Sequence, residues 1–430
     1  MSDIGKEKKK RRCQRKLLMF AVIAVFALTG GCVHRDSDDF LIPADNGGVD
    51  NGERYSVWQS LKIYSIYHDR LPDYIGSMTP NDMFDSIHDT LHGVRYTEYL
   101  SDHLGGSEEL FDPNTEFYEP MEFTPSTVYF YLPEFSDTAL VFFNEVLPRL
   151  SEYPNIIIDV RNNGGGYIGV TDAILGELLP YGTPYLNVRY RDYNSRYNAG
   201  ETFEDVFSTE TPSPALLNKK VAVLINGYSA SASEILAAGL KDGAGAYLVG
   251  SNSYGKGIGQ LLIPIETRER IRKLSVTFLE ISGISERTGQ YHRVGIEPDQ
   301  VPADIESYVD ARIPNARQRG IIQAEVEEIQ AEYPNIPASY IRQQLIRELR
   351  EMYYALKMLQ PEFSLTEDDG DDVGEDGGVV DAMGKRRSAG IGEMAARIHG
   401  ARERAKARWR PMGAVIGDRK GLPNVKLSGD

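Results

Sequence analysis

The chain is predicted to be an α/β protein with a helical portion at each flank. From Ser126 onward, short β-rich runs alternate with helical segments, the pattern of an α/β layer architecture. Two of those strands end in tight turns that feed helices, one turn rich in glycine and the other in serine. On either side of this core only helix-like apolar spacing is found.

The elements follow in order. Apolar residues at helical spacing (Leu61, Ile63, Ile66; Met83, Ile87, Leu91), interrupted by Pro72 and Pro80, give a small helical N-terminal portion over 57–125. The core, 126–312, should hold strands at Thr127–Leu132, Asn155–Val160, Lys220–Ile225, Ala246–Gly250, Leu261–Ile265 and Lys273–Ile281. Helices are expected at Asp137–Leu150, Gly169–Leu179 and Ala230–Leu240. Between Tyr181 and Asn218 runs a long stretch rich in Tyr, Arg and acidic residues, which reads equally as a cleft-lining loop or as an extended hairpin with a solvated face. Helical spacing returns at Gln318–Ala331 and Ala338–Leu359, forming an extension over 313–360. An acidic linker, Glu367–Asp381, and a basic tail occupy 361–430 and are too polar to bury a core.

Charge divides the chain further. The net charge is −16, but residues 1–31 carry an excess of +6, which leaves −22 for the rest. So acidic a body repels a polyanion, and nucleic acid is not expected as a partner. The N-terminal segment has a basic stretch from Lys6 to Lys16, an apolar run Leu17–Leu28 and small residues before Cys32. That order reads as a signal peptide, 1–31. The apolar run is shorter than the roughly 20 residues that span a bilayer. LTGGC, Leu28 to Cys32, resembles a bacterial lipoprotein signal, with Leu28 one place further from the cysteine than usual. The expectation is a lipid on Cys32, a flexible tether over 32–56, and a cell-envelope location on the periplasmic face or the cell surface. The only cysteines are Cys13 and Cys32, so disulfides, thiolate metal clusters and a cysteine nucleophile are excluded from the exported body.

Three segments carry chemistry. In VAVLINGYSASASEILAAGLKD, Val221 to Asp242, a buried strand turns into a helix whose first turn holds Ser229, Ser231 and Ser233. A helix N-terminus offers unpaired amides and the positive end of the dipole, which suits a serine nucleophile and its oxyanion. Simple helix capping, with Ser231 and Glu234 as a capping box, explains the same residues. In YLVGSNSYGKGIGQ, Tyr247 to Gln260, Lys256 stands between two glycines directly after a strand. An amine delivered there into a closed site loses solvation and becomes a usable base. In IIIDVRNNGGGYIG, Ile156 to Gly169, glycines at a strand end expose amides, so Gly164 or Gly165 could join the Ala232 amide as oxyanion donors. Neither GxxxxGK[ST] nor GxGxxG is present, which removes nucleotide binding.

Together these segments resemble the C-terminal processing (tail-specific) family of serine peptidases. DVRNNGGG is similar to that family's DLRNNPGG segment, SASASE to its nucleophile motif, GKGIGQ to its GKGxxQ motif, and GIEPD, Gly295 to Asp299, to the segment that closes its catalytic core. The resemblance implies a ClpP/crotonase-like α/β core, Ser231 as nucleophile, Lys256 as general base, Gln260 positioning the lysine, no cofactor or metal, and polypeptide substrates. Members usually carry a PDZ domain before the core, and 105–125 is too short to hold one, so recognition of a substrate's free C-terminus is not implied.

Other readings use the same residues. Ser253 and Lys256 spell SxxK, but that motif needs both side chains on one helical turn, and Gly255 and Gly257 flank the lysine. His88 and His92 have the spacing of helical zinc ligands, with His103 downstream, although Asp89 stands where a zincin has Glu. His292 could act as a base for serine but has no assigned acid. A binding protein that keeps the core only as a ligand cleft is the alternative to an enzyme.

Overall fold

The computed structural model describes residues 49–99, 117, 119–191, 201–266, 271–310, 334–366 and 388–390, with a few positions between 323 and 331. The signal segment, Cys32, His103 and nearly all of the acidic linker and basic tail lie outside them.

Helix α1, Val49–Tyr64, opens inside the stretch expected to be a tether. It is followed by α2, Pro80–Ile87. The Thr79 hydroxyl accepts from the Asp82 amide at 3.3 Å and the Asp82 carboxylate accepts from the Thr79 amide at 2.8 Å, so Pro80 starts a helix rather than breaking one. A short strand, β1, Glu98–Tyr99, closes this portion.

The core holds two sheets. The first contains β2, Met121–Thr124; β3, Thr127–Tyr131; β4, Asn155–Asp159; β7, Lys220–Ile225; and β8, Tyr247–Gly250, side by side in that order. Only the β2–β3 pair is antiparallel; β3, β4, β7 and β8 are parallel. The crossovers between parallel strands are helices: α3, Asp137–Ser151, between β3 and β4, and α5, Ala232–Ala244, between β7 and β8. Helix α4, Ile168–Leu178, follows β4. The second sheet is antiparallel, with order β1-β10-β5-β6 and β9 also paired to β10. Its strands are β5, Pro184–Arg191; β6, Thr202–Ser208; β9, Ile258–Glu266; and β10, Ile271–Ser282. The tyrosine- and arginine-rich stretch after Tyr181 is therefore a hairpin, and it buries Tyr185, Leu186 and Val188.

Alternation along the first sheet sorts its side chains. Val128, Phe130, Ile156, Ile158, Val221 and Val223 face the main core with α3, α4 and α5. Tyr129, Tyr131, Ile157, Ala222 and Leu224 face the opposite way. There they meet α7, Ala338–Leu359, whose Ile341, Leu345, Leu349, Met352, Leu356 and Leu359 form one buried stripe. The C-terminal helix is thus the second cover of the sheet. A shorter helix, α6, Ala303–Asp310, packs beside it. A third cluster joins α1 and α2 to Ile265, Leu274 and Val276 of the second sheet. Among the described residues no helix is long and apolar enough to cross a membrane.

Candidate active site

The carboxyl ends of β4 and β7 supply two loops that are sewn together. Asn163 is fully buried; its Nδ2 donates to the Leu132 carbonyl at 2.9 Å, and its own carbonyl accepts from the Ala230 amide at 3.0 Å and from Ser233 Oγ at 2.8 Å. Ser229 Oγ donates to the Val160 carbonyl at 2.8 Å. Ser229 and Ser233 therefore serve as rivets between the loops. Ser231 is the one serine of the three that is part-exposed.

Ser231 stands at the start of α5 with φ 56 and ψ −113, a backbone that costs a non-glycine residue about 1–3 kcal/mol. Packing on both sides holds it there. A Cβ at Gly165, where φ is +106, would lie 2.7 Å from the Ala230 oxygen and 2.8 Å from Ser231 Cβ, so only glycine fits against the turn. The Ala232 amide is at the first position of the helix, where no intrahelical partner exists.

Gly165 does not have the role expected of it as an oxyanion donor. Its amide already donates to Asn163 Oδ1 at 2.8 Å, because Asn163 folds back on the residue two ahead of it. Gly164 is exposed, and nothing crowds its Cα.

Lys256 lies in the loop between β8 and β9. Gly255, at φ +90, packs so closely on the backbone of 293–295 that a Cβ would come within 2.9 Å of the Gly295 amide nitrogen. Lys256 is part-buried in this loop. Burial of the amine lowers its pKa to about 8, against a smaller opposing pull from the Glu234 carboxylate. Its ammonium sits 4.9 Å above the Tyr96 ring, and among the described residues it makes no hydrogen bond. Catalytic contacts are often open without substrate and close in the complex.

Glu234 couples the two loops, a role the sequence reading left at helix capping. Its carboxylate is fully buried in α5 and accepts four hydrogen bonds: Oε2 from the amides of Ser231 at 2.9 Å and Lys256 at 2.8 Å, Oε1 from Ser253 Oγ at 2.5 Å and the Gly255 amide at 2.7 Å. One oxygen thus binds the backbone of both the serine and the lysine. Burial raises the carboxyl's pKa, and the four donors oppose that rise.

The GIEPD segment acts from behind. The Ile296 amide donates to Ser253 Oγ at 2.6 Å, and Asp299 accepts from Lys241 at 2.8 Å and from the Leu248 amide at 2.8 Å. Gln260 lies on β9, opposite Thr277 of β10.

The other readings lose their geometry. The Ser253 hydroxyl is spent on Glu234, and Ser253 and Lys256 lie in a loop, not on a helical turn. His88 ends α2 in the left-handed conformation, φ 56, and His92 also has positive φ, 49, so the two do not share a helical face. His292 Nδ1 accepts from the Gly257 amide at 3.1 Å, which makes it a support of the lysine loop.

The site thus joins a serine on a strained strand-to-helix turn, through one carboxylate, to the loop that carries Lys256. Residues 126–301 match the family model described as "Peptidase family S41". The chain is 32% identical over 176 residues to "Carboxy-terminal processing protease CtpB" of Bacillus subtilis, covering 40% of this chain and 33% of the relative. It is 33% identical over 183 residues to "Carboxy-terminal-processing protease" of Bartonella bacilliformis, covering 40% and 37%. A solved lipoprotein from Streptococcus agalactiae superposes with TM-score 0.43 at 14% identity, over 62% of this chain and 98% of that one. The chain spans about a third of the length of the curated relatives it matches.

Proposed function

We propose that the chain is a serine endopeptidase of the bacterial cell envelope, held to a membrane by a lipid on Cys32, and that it hydrolyses envelope or extracellular polypeptides. One observation carries this reading: the amine of Lys256, lowered to about 8, belongs to a residue whose amide shares Glu234 Oε2 with the amide of Ser231.

The chemistry follows from these groups. Ser231 Oγ attacks the scissile carbonyl carbon while its proton passes to neutral Lys256 Nζ. The carbonyl oxygen, now negative, is held by the amides of Ala232 and Gly164. Collapse expels the amine, which takes the proton back from the Lys256 ammonium, and leaves an ester on Ser231. Water, deprotonated by Lys256, then hydrolyses the ester. Gln260 aims the lysine throughout.

Fluorophosphonate labelling tests the reading. A single adduct on Ser231, lost in Lys256→Ala, supports it; a folded protein with no adduct and a bound peptide supports a binding protein instead. Cys32→Ala should move the protein from the membrane to the soluble fraction, and retention at the membrane contradicts the anchor.

A further inference from the structure

In the proposed mechanism Gln260 can aim the lysine only if its amide faces the right way round, and a chain of hydrogen bonds from the N-terminal portion bears on that orientation. Asp89, on the turn after α2, is buried and accepts two hydroxyl hydrogen bonds on Oδ2, from Thr97 Oγ1 and from Thr277 Oγ1, each at 2.6 Å. A carboxylate has no proton to give, so both hydroxyls must donate, and each threonine oxygen is left as an acceptor. The Thr97 oxygen takes the Thr277 amide at 3.1 Å. The Thr277 oxygen takes Gln260 Nε2 at 3.4 Å. With one N–H of its amide held on the strand, the glutamine has Oε1 as its one acceptor to offer, and an ammonium only donates.

We infer that Asp89 and Thr277 are positioning residues that fix the Gln260 amide with Oε1 toward Lys256, so that the N-terminal portion completes the site. The inference rests on the Ser231/Lys256 reading. Glu234 from α5 and Tyr96 from the N-terminal segment bear on the Lys256 amine, while His92 meets the Tyr254 carbonyl and His292 the Gly257 amide in the loop that carries it. The substitutions below leave all of them in place.

The test is a cycle of Thr277→Val, which keeps the branched shape, with Gln260→Ala, and Thr277→Ser as the variant that keeps the hydroxyl. Two readouts are taken on the full chain: kcat and KM on a peptide substrate, and the titration of Lys256 followed by NMR of 13C-methylated lysine, which needs no turnover. Thr277→Val should lower kcat about tenfold at unchanged KM and lower the Lys256 midpoint by about one pH unit, because the ammonium loses an acceptor. Thr277→Ser should restore both, and Thr277→Val should add nothing in Gln260→Ala. Equal losses in both backgrounds, or a Thr277→Val protein with wild-type kcat and midpoint, overturn the inference. If the wild type proves to have neither turnover nor a Ser231 adduct, the peptidase reading fails by itself. The NMR midpoint then decides the inference: a shift confined to the Gln260 background upholds the orientation, and no shift overturns it. Should Thr277→Val not fold, Asp89→Asn takes its place, since an amide can donate to Thr277 and release its proton toward Gln260. The same fall in kcat and midpoint is expected, and unchanged values overturn the inference.

Discussion

Lost solvation makes Lys256 costly to the fold, and the same loss suits it to the role of base in the proposed mechanism. Its folded pKa, about 8, lies below the 10.5 of an ordinary lysine. Between these values the unfolded chain binds more protons than the folded one, so stability rises with pH through that window. Below about pH 8 the cost is fully present, and above about 10.5 it is gone. Lys256→Met should therefore abolish turnover yet raise stability at pH 7 by about 1–3 kcal/mol, an advantage that closes by about pH 10.5. Urea denaturation at the two pH values measures it, and a variant less stable at pH 7 contradicts the desolvation argument. The placement of Ser231 and Lys256 in loops directly after two strands was legible in the sequence, because each strand is a short apolar run. Glu234 was not legible in its full role, since its donors come from Ser231 and from Ser253, Gly255 and Lys256, two segments joined only by folding. Gly165 was misjudged for a related reason: the run of glycines announces free amides, but Asn163 takes one of them.

At the scale of elements, the site depends on how α5 begins. The close approach of Gly165 to the Ala230–Ala232 backbone leaves no room for a methyl group. Gly165→Ala should push the two loops apart, lowering kcat/KM at least a hundredfold while the secondary structure, followed by circular dichroism, remains. An alanine variant with wild-type kcat/KM would show that the contact is not required. The core helices and parallel strands were readable to within a few residues, because each is a continuous apolar run or a periodic one. The β5–β6 hairpin remained ambiguous, since polar and charged residues interrupt its apolar ones, Tyr185, Leu186, Val188, Phe203 and Phe207. The helix at Val49–Tyr64 begins earlier than composition alone implied. Its stability comes from packing Val57 and Leu61 onto α2 and the second sheet, a tertiary gain that acidic, glycine-rich sequence does not announce.

Across the whole molecule, the first sheet is also held from the face opposite the main core. Arg161, buried at the end of β4, forms a two-pronged pair with Asp159 and gives its other nitrogen to Glu351 of α7 at 2.7 Å. Removing Glu351 leaves part of a buried guanidinium unpaired, at a cost of about 2–3 kcal/mol. Glu351→Ala should lower the midpoint of chemical denaturation accordingly, and an unchanged midpoint would mean that α7 is held by its apolar stripe alone. The sequence showed α7 as a helix but not as a wall of the core, because the partner face, Tyr129, Ile157 and Leu224, belongs to strands that are apolar on both sides. The front of the molecule contributes too: the N-terminal segment lays Tyr96 over the Lys256 amine, which adds to its desolvation. The pH dependence of fluorophosphonate reaction at Ser231 tests that most directly. A single rise with a midpoint near pH 8, absent in Lys256→Ala, is the expected result. A rate that is flat from pH 6 to 10, or one that keeps its midpoint without the lysine, would contradict neutral Lys256 as the base.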